Sequence, residues 1–257
     1  MPYAHRDVDI YFTSRGDGDE TVFFCHGAGG NSTSWWQQMG AFASRYRCLA
    51  HDHRGFGRSR CSAEQFAVHE FVDDALAVLD AAAVTRAHLV CQSMGGWTGV
   101  RLALEHPDRV RSLVLSDTIG GLALASGIDS IRDMGERAAR AGALSPALAA
   151  DYHLRDPAGA FLYTELSAFN ADLERLGLFR RMFAAEAMID LSRATSLSIP
   201  ILVVAGRHDL IWPPEVLREL AGHLPNAQFV EVEAGHSPYF ENPVAFNAAL
   251  AAFLESI

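Results

Sequence analysis

A serine, an aspartate and a histidine each follow a short apolar run of this chain, and together these three side chains can perform nucleophilic catalysis. Ser93 follows the run from Ala87 to Cys91, Asp209 follows Ile199 to Val204, and His236 comes shortly after a third run. A serine hydroxyl is a poor nucleophile near neutral pH, so a histidine must accept its proton and a carboxylate must hold the imidazole in the right tautomer. We therefore predict Ser93 as nucleophile, His236 as general base and Asp209 as orienting acid.

The identity of the acid has an alternative. Asp117 also ends an apolar, strand-like run, so its carboxylate is placed much like that of Asp209. A triad is defined by geometry and not by sequence order, and either carboxylate is able to reach one imidazole. The order Ser, Asp, His fits Ser93, Asp209 and His236, and we predict Asp209 as the acid, with Asp117 as the second candidate.

The residues around Ser93 predict a tight turn from a strand into a helix. Such a turn pushes the serine Oγ out of the backbone and directs the following N–H towards the reaction centre. The usual pattern is Gly-x-Ser-x-Gly, and Cys91 stands here at the first glycine position, with Gly95 at the second. Cysteine is small enough for this turn, and as a rival nucleophile Cys91 is disfavoured because burial in an apolar strand raises the pKa of a thiol.

A glycine-rich segment follows another apolar run and predicts the site that binds the developing oxyanion. The segment reads His26-Gly27-Ala28-Gly29-Gly30, and its glycines permit a strained path close to a substrate. The tetrahedral intermediate of acyl transfer needs hydrogen-bond donors for its oxygen. We predict the backbone N–H groups of Ala28 and Met94 as that pair.

Short apolar runs alternate with helical patterns along most of the chain. The predicted strands are Thr21–Cys25, Tyr46–Ala50, His88–Cys91, Arg111–Leu115, Ile199–Val204 and Gln228–Val232, and the predicted helices are Trp35–Arg45, Glu64–Ala82, Trp97–Glu105, Pro214–Leu224 and Val244–Leu254. This alternation predicts an α/β fold whose parallel sheet is covered by helices on both faces. Residues 119–199 contain helical patterns and no convincing strand. We predict a helical lid there, inserted into a core of residues 1–118 and 200–257.

Five segments, in this order along the chain, resemble the α/β-hydrolase fold enzymes. They are His26 to Gly30, Asp52 to Ser59 (Asp-His-Arg-Gly-Phe-Gly-Arg-Ser), the turn at Ser93, Gly206 to Asp209, and Gly235 to Pro243 (Gly-His-Ser-Pro-Tyr-Phe-Glu-Asn-Pro). The resemblance covers nearly the whole chain. It implies a mostly parallel eight-stranded sheet, a lidded active site and cofactor-independent hydrolysis. It also argues against dehalogenase and epoxide hydrolase chemistry, because those relatives have an aspartate at the position of Ser93.

Composition excludes several other classes of protein. The 257 residues are 49% hydrophobic and 20% charged, which suits one large α/β domain, and the formal net charge of -10 disfavours nucleic acid as a partner. A charged amino terminus and the lack of a long apolar run predict neither a signal peptide nor a membrane span, so we expect a cytoplasmic protein with a small-molecule substrate. The sequence leaves open whether the protein is a monomer or a homodimer.

Other residues with chemical potential have plainer structural interpretations. His51-Asp52-His53 has spacing that suits zinc, but it continues into the loop Arg54 to Gly57, so we predict no metal site. For the substrate pocket we name His26, Gly27, Trp97 and Phe161. The lid arginines Arg180 and Arg181 are expected to be solvated, with binding of a substrate carboxylate as the alternative.

The predicted activity is hydrolysis of a carboxylic ester or lactone of a small, partly apolar substrate through an acyl-enzyme on Ser93. The closest alternatives are hydrolysis of a C–C bond in a ring-cleavage product and hydrolysis of an enol-lactone, both reactions of aromatic catabolism. Gln92 and the sequence Ala28-Gly29-Gly30 depart from the pattern of C–C hydrolases. Two further alternatives are a small-molecule receptor and a cofactor-free oxygenase or haloperoxidase on the same fold.

Overall fold

Eight strands form one sheet at the centre of the protein. The computed structural model describes residues 2–170, 174 and 176–257. The strands lie side by side in the order β1-β2-β4-β3-β5-β6-β7-β8. Their bounds are β1 (Tyr3–His5), β2 (Asp9–Arg15), β3 (Thr21–Cys25), β4 (Arg47–His51), β5 (Ala87–Gln92), β6 (Val110–Ser116), β7 (Ile201–Gly206) and β8 (Ala227–Val232).

The six strands β3 to β8 pair in parallel with one another, whereas the pairings made by the first two strands are antiparallel. β1 pairs antiparallel with β2, and β2 pairs antiparallel with β4, whereas every pairing from β4 to β8 is parallel. The parallel strands are those that the apolar runs predict, to within a few residues at their ends. The apolar runs of the sequence predict neither β1 nor β2. Strand β2 is half exposed and alternates buried with accessible residues, so it does not form an apolar run.

Helices cover both faces of the sheet. Their bounds are α1 (Trp36–Phe42), α2 (Phe71–Ala81), α3 (Gly95–Glu105), α4 (Ala125–Ala141), α5 (Tyr152–Arg155), α6 (Pro157–Ala168), α7 (Leu178–Met182), α8 (Pro214–His223), α9 (Pro238–Glu241) and α10 (Pro243–Glu255). Successive strand residues point to opposite faces, so Phe23 and Leu89 pack towards α2, α3 and α8, while Phe24 and Val90 pack towards α1 and α10. The sheet is therefore buried on both sides, as predicted.

The segment between β6 and β7 carries α4 to α7, and we call residues 119–199 the cap segment. Its side chains share a cavity with residues at the carboxyl ends of the strands. The division of the chain into core and lid at these bounds stays a prediction. In the described part of the chain, no helix has the length and hydropathy needed to cross a membrane.

Candidate active site

Ser93 occupies the turn between β5 and α3 in a backbone conformation that few non-glycine residues adopt. Its φ is +49°, in the left-handed region, which is a marker of stored strain at functional sites. The turn is held at both of its backbone polar groups: the Ser93 N–H donates to the Ser116 carbonyl at 3.0 Å, and the Ser93 carbonyl accepts from Thr118 Oγ1 at 2.6 Å. The strand-to-helix turn that the sequence predicts is present.

The structure explains how cysteine replaces the first glycine of this motif. A Cβ on Gly99 would lie 2.5 Å from Cys91 Sγ, so the thiol fills space that Gly99 leaves free on α3. A Cβ on Gly95 would lie 2.3 Å from the carbonyl oxygen of Cys25, which makes the second glycine of the motif indispensable. Burial raises the pKa of the Cys91 thiol well above its usual value. Cys91 is thus a packing residue here, and a thiol so placed is a weak nucleophile.

Ser93, His236 and Asp209 form a continuous hydrogen-bonded chain. His236 Nε2 lies 2.9 Å from Ser93 Oγ, and His236 Nδ1 lies 2.9 Å from Asp209 Oδ2. An ionised carboxylate only accepts hydrogen bonds, so Nδ1 donates to Asp209 and Nε2 is left to accept the serine proton. All three residues are buried, with Ser93 the most accessible at 9%. The arrangement has the geometry needed to deprotonate Ser93 during attack.

The two candidate acids differ in their bonding. Asp209 Oδ1 accepts from the backbone N–H of Ile211 at 2.7 Å and of Trp212 at 3.1 Å, which leaves Oδ2 for His236. Asp117 instead accepts from the Gly206 N–H at 2.6 Å and from the Ser116 hydroxyl, so it fastens the end of β7. Asp209 is therefore the carboxylate bonded to the imidazole.

The environment of Asp117 disfavours ionisation of its carboxyl group. Burial and the adjacent Asp209 carboxylate raise the pKa of Asp117 well above its usual range. Like charges at close range in a buried site cannot both ionise readily. Asp117 is therefore the less suitable of the two carboxyl groups to supply a negative charge beside an imidazolium.

A buried histidine shapes the glycine-rich loop after β3. His26 Nε2 accepts from the His53 N–H at 2.9 Å, so the proton of the ring is on Nδ1, which donates to the Gly27 carbonyl at 2.7 Å. Burial lowers the pKa of His26 to about 4, which keeps the ring neutral and this tautomer in place. The Gly30 N–H also donates to the Gly27 carbonyl, at 3.0 Å. These two hydrogen bonds occupy the carbonyl oxygen of Gly27 and fix the conformation of the loop.

The predicted oxyanion donors are free of other partners. Within residues 2–170, 174 and 176–257, no hydrogen bond uses the backbone N–H of Ala28 or that of Met94. Ala28 lines the same cavity as Ser93, and Met94 follows Ser93 at the start of α3. Unused N–H groups beside a nucleophile are the arrangement that stabilises a tetrahedral intermediate.

Gly27→Ala is expected to reduce kcat by about 100-fold, because displacing catalytic groups by roughly 1 Å has effects of that size. A Cβ at this position would lie 2.0 Å from Gln92 Oε1 and 2.9 Å from Ser93 Cβ, so either the loop or Gln92 must move. Steady-state kinetics on an activated ester measures the change. Gly40→Ala is the matched control, since its Cβ would meet nothing within 4 Å. Equal kcat in both variants would contradict the importance of this close approach.

Ser93 and His236 line a partly enclosed, mostly apolar cavity of about 260 Å³. Its wall combines the carboxyl end of the sheet with the cap segment. The lining residues are Ala28, Gly29, Gln92, Ser93, Ile131, Met134, Pro146, Ala147, Tyr163, Phe179, Met182, Phe183, Ile211, Trp212 and His236. A more open groove of about 460 Å³ on the outer side of Asp209 includes neither Ser93 nor His236.

The structure places the four predicted pocket residues outside this lining. His26 and Gly27 lie behind Ala28, where they shape the loop instead of facing a substrate. Trp97 is buried, and its indole N–H donates to the Met182 carbonyl at 3.0 Å. Phe161 is 67% exposed on α6. Trp97 thus supports the cavity from behind, and Phe161 faces away from it.

Three polar or aromatic residues of the site were not predicted from the sequence. Gln92 Nε2 donates to the His236 carbonyl at 2.9 Å, which ties the strand before the nucleophile to the histidine loop. Trp212 lines the cavity, and its ring centroid lies 5.7 Å from that of His236. The Tyr163 hydroxyl lies 3.2 Å from Ser237 Oγ and faces Gly29. Of these three residues, only Gln92 could have been suggested by the sequence, because it is adjacent to Ser93.

Among the described residues, one cluster has the spacing of metal ligands, and it overlaps the hydrogen-bonded chain from Ser93 at Asp209 and His236. The ligand atoms of Asp117, Asp209 and His236 lie within 4.8 Å of one another. Their hydrogen bonds to each other and to the backbone account for this proximity. His51 Nε2 lies 3.2 Å from His53 Nδ1, so these two rings pair with each other and do not belong to that cluster.

The fold and this arrangement of residues are those of the alpha/beta hydrolases. The sequence model of a protein family described as "alpha/beta hydrolase fold" matches residues 20–151 and 162–243. The chain belongs to this family.

Proteins that are similar to this chain have names that refer to several kinds of hydrolase. A protein of Caulobacter vibrioides named "Putative carbamate hydrolase RutD" is 32% identical over 93% of this chain and 91% of its own length. The solved structure "Est816 as an N-Acyl homoserine lactone degrading enzyme" superposes with a TM-score of 0.82 at 30% identity, covering 98% of this chain and 100% of that one. The enol-lactonase from Burkholderia xenovorans LB400 superposes with a TM-score of 0.82 at 26% identity, covering 99% and 100%. The chain is therefore similar to hydrolases of different substrates.

Proposed function

We propose that this protein is a serine hydrolase that cleaves a small, neutral carboxylic ester or lactone through an acyl-enzyme on Ser93. The observation that carries the proposal is the hydrogen-bonded chain from Ser93 through His236 to Asp209 at the wall of a partly enclosed, mostly apolar cavity. Names of relatives that refer to lactones and carbamates support attack on an acyl carbonyl.

The steps follow from the hydrogen bonds. Ser93 Oγ attacks the carbonyl carbon while His236 Nε2 accepts its proton, and the N–H groups of Ala28 and Met94 bind the oxygen that becomes negative. His236 then donates the proton to the leaving alkoxide, whose departure forms the acyl-enzyme. Water, deprotonated by the same Nε2, releases the acid. Asp209 stabilises the imidazolium in both halves of the reaction.

The cavity favours a neutral acyl group over a charged one. Its apolar wall includes Ile131, Met134 and Phe183, and no arginine or lysine contributes to it in the described part of the chain. Arg181 is committed to the backbone, donating to the Phe66 carbonyl and to the Ala63 carbonyl, and Arg180 is exposed. A carboxylate moved from water into such a site loses hydration without gaining a partner.

A pair of activated esters with the same chain length tests this preference. We expect kcat/KM for 4-nitrophenyl butyrate to exceed that for 4-nitrophenyl hydrogen succinate by at least about 30-fold, because an unpaired buried charge costs 2 kcal/mol or more. The same panel includes a γ-lactone, a carbamate ester and an anionic ring-cleavage product, each assayed with wild type and Ser93→Ala. Preference for the succinate ester or the ring-cleavage product would contradict the proposed substrate class and favour enzymes of aromatic catabolism.

The panel also separates the proposal from functions of other classes. A small-molecule receptor would bind without appreciable turnover of any ester. The name "Putative non-heme bromoperoxidase BpoC", given to a Mycobacterium tuberculosis protein 28% identical over 97% of this chain, adds an assay with bromide and hydrogen peroxide. Ser93-dependent ester turnover excludes the receptor, and ester turnover without bromination in the presence of bromide and hydrogen peroxide excludes the haloperoxidase.

A further inference from the structure

One buried carboxylate fastens the loop that carries His236. Glu241 ends α9, and its side chain is 0% exposed. Its Oε1 accepts from the N–H of Gly235 at 3.0 Å and from the N–H of Ser237 at 3.3 Å. These are the two residues that flank His236, so the backbone on each side of the imidazole is held by a single oxygen atom.

The other oxygen of Glu241 holds the cap segment. Oε2 accepts from the Ala149 N–H at 3.0 Å and lies 4.0 Å from Arg155 Nη2. A Cβ on Gly235 would lie 2.1 Å from the Ala149 nitrogen, so the two backbones touch without an intervening side chain. Glu241 therefore bridges the histidine loop and the cap segment at a point of direct backbone contact.

A second bond connects the same two elements and leads to the cavity. Ser237 Oγ donates to the Ala147 carbonyl at 2.9 Å, and Ala147 lines the cavity beside Ser93. The cap segment from Ala147 to Ala149 is thus tied to both neighbours of His236. Any displacement of this part of the cap segment acts directly on the loop that places the imidazole.

We propose that Glu241 is a positioning residue, which holds His236 in line with Ser93 by clamping its loop against residues 147–149 of the cap segment. The proposal rests on the proposed function for its effect on the reaction. The clamp requires an ionised carboxylate, because three backbone N–H groups point at its oxygens and a protonated carboxyl accepts fewer hydrogen bonds. Burial raises the pKa of Glu241 above its usual value.

This shift has a definite direction in a pH profile. As the pH falls, Glu241 gains its proton at a higher pH than an exposed glutamate does, and the clamp loosens. The charged and titratable groups that face Glu241 are Arg155 and Tyr152 on α5, Tyr163 on α6, Tyr239 on α9, and His236. Arginine stays cationic and the pKa values of the three tyrosines are raised, that of Tyr163 to about 12, so the arginine and the tyrosines do not titrate on the acid side.

Glu241→Gln tests the clamp with little change in volume. A glutamine keeps one acceptor oxygen and replaces the other by an NH2 donor, so either the Ala149 amide or the Gly235 and Ser237 amides lose their acceptor, and the clamp between the two elements loosens. We expect kcat to fall by about 10- to 100-fold with KM within about threefold, as for a loss of transition-state alignment. The acid limb of the pH profile should be less steep than in wild type, because one ionisation is gone. Glu241→Asp, which keeps the charge, should recover part of the rate.

Hydrogen exchange measures the clamp independently of catalysis. Amides of residue 149, of residues 235–237 or of both should exchange faster in Glu241→Gln, while circular dichroism and the global Tm report whether the fold is retained. Glu233→Gln is the matched control: this carboxylate is exposed, pairs with Arg207 and His208, and makes no bond to residues 235–237.

The outcomes are separable. Unchanged exchange both at residue 149 and at residues 235–237 in folded Glu241→Gln would overturn the clamp, and faster exchange with unchanged kcat and pH profile would overturn its role in positioning His236. A lower kcat explained entirely by a smaller folded fraction would also overturn that role. The absence of Ser93-dependent turnover in wild type, with exchange as expected, would instead overturn the proposed function.

Discussion

Replacing Ser93 by alanine is expected to lower kcat for ester hydrolysis by on the order of a million-fold, the loss found when a serine nucleophile of this type is removed. The variant lacks the oxygen that attacks the carbonyl, and the imidazole of His236 has no proton to accept. What remains is the catalysis that the oxyanion donors and substrate binding supply on their own.

The substitution should leave the fold intact. The alanine still supplies the backbone N–H that donates to Ser116 and the carbonyl that accepts from Thr118, so both bonds of the turn persist. Far-ultraviolet circular dichroism and Tm check this, and the residual rate is measured with 4-nitrophenyl butyrate. A folded Ser93→Ala protein that retains more than a small fraction of the wild-type rate would contradict the assignment of the nucleophile.

Asp209→Asn is expected to lower kcat by on the order of 10⁴-fold, whereas Asp117→Asn should change it by less than about tenfold. An amide at position 209 is able to donate to His236 Nδ1, which favours the tautomer that cannot accept the serine proton at Nε2. It also removes the charge that stabilises the imidazolium.

We expect the same substitution to be mild at position 117 because the environment of this carboxyl group already disfavours its charged form. Burial and the Asp209 carboxylate raise the pKa of Asp117, and an asparagine keeps an oxygen that can accept from the Gly206 N–H. The two variants are thus chemically matched and only a few ångströms apart. Comparable losses in both, or a larger loss in Asp117→Asn, would show that the acid is shared or lies at Asp117.

The proximity of Ser93, Asp209 and His236 could be predicted from the sequence because these residues share one position in the fold. Ser93, Asp209 and His236 each follow a parallel strand, and the carboxyl ends of parallel strands meet at one edge of the sheet. The type of each residue and the order in the chain then restrict the roles. Asp117 satisfied the same criterion, and only the hydrogen bonds of His236 separated the two acids.

The residues that line the cavity could not be predicted from the sequence in the same way. On α6, Phe161 and Tyr163 are two residues apart, a rotation of about 200° around a helix, so one side chain is exposed and the other lines the cavity. Which one faces inward depends on how the cap segment packs on the sheet. That packing consists of contacts between residues distant in sequence, such as Trp97 with Met182, and local patterns do not encode them.

Glu241 illustrates a further limit of sequence interpretation. It lies five residues after His236 and its type suggests a surface residue, yet the one-turn helix α9 brings its carboxylate back under the loop. Strand β2, in which buried and accessible residues alternate, was missed for a similar reason. It pairs with β4, from which it is separated by a long stretch of chain. Both features depend on contacts made where the chain turns back on itself, and the pattern of neighbouring residues does not predict these contacts.

We propose that Ser93 carries the acyl group during turnover, and intact mass spectrometry after rapid mixing can detect this group on the protein. With 4-nitrophenyl butyrate quenched in acid within the first turnovers, we predict one butyryl group per chain, located by peptide mapping on Ser93 and absent from Ser93→Ala. A fluorophosphonate should label the same residue. Steady turnover with no acyl adduct at any time point and no phosphonate on Ser93, or an adduct on another residue, would contradict the account.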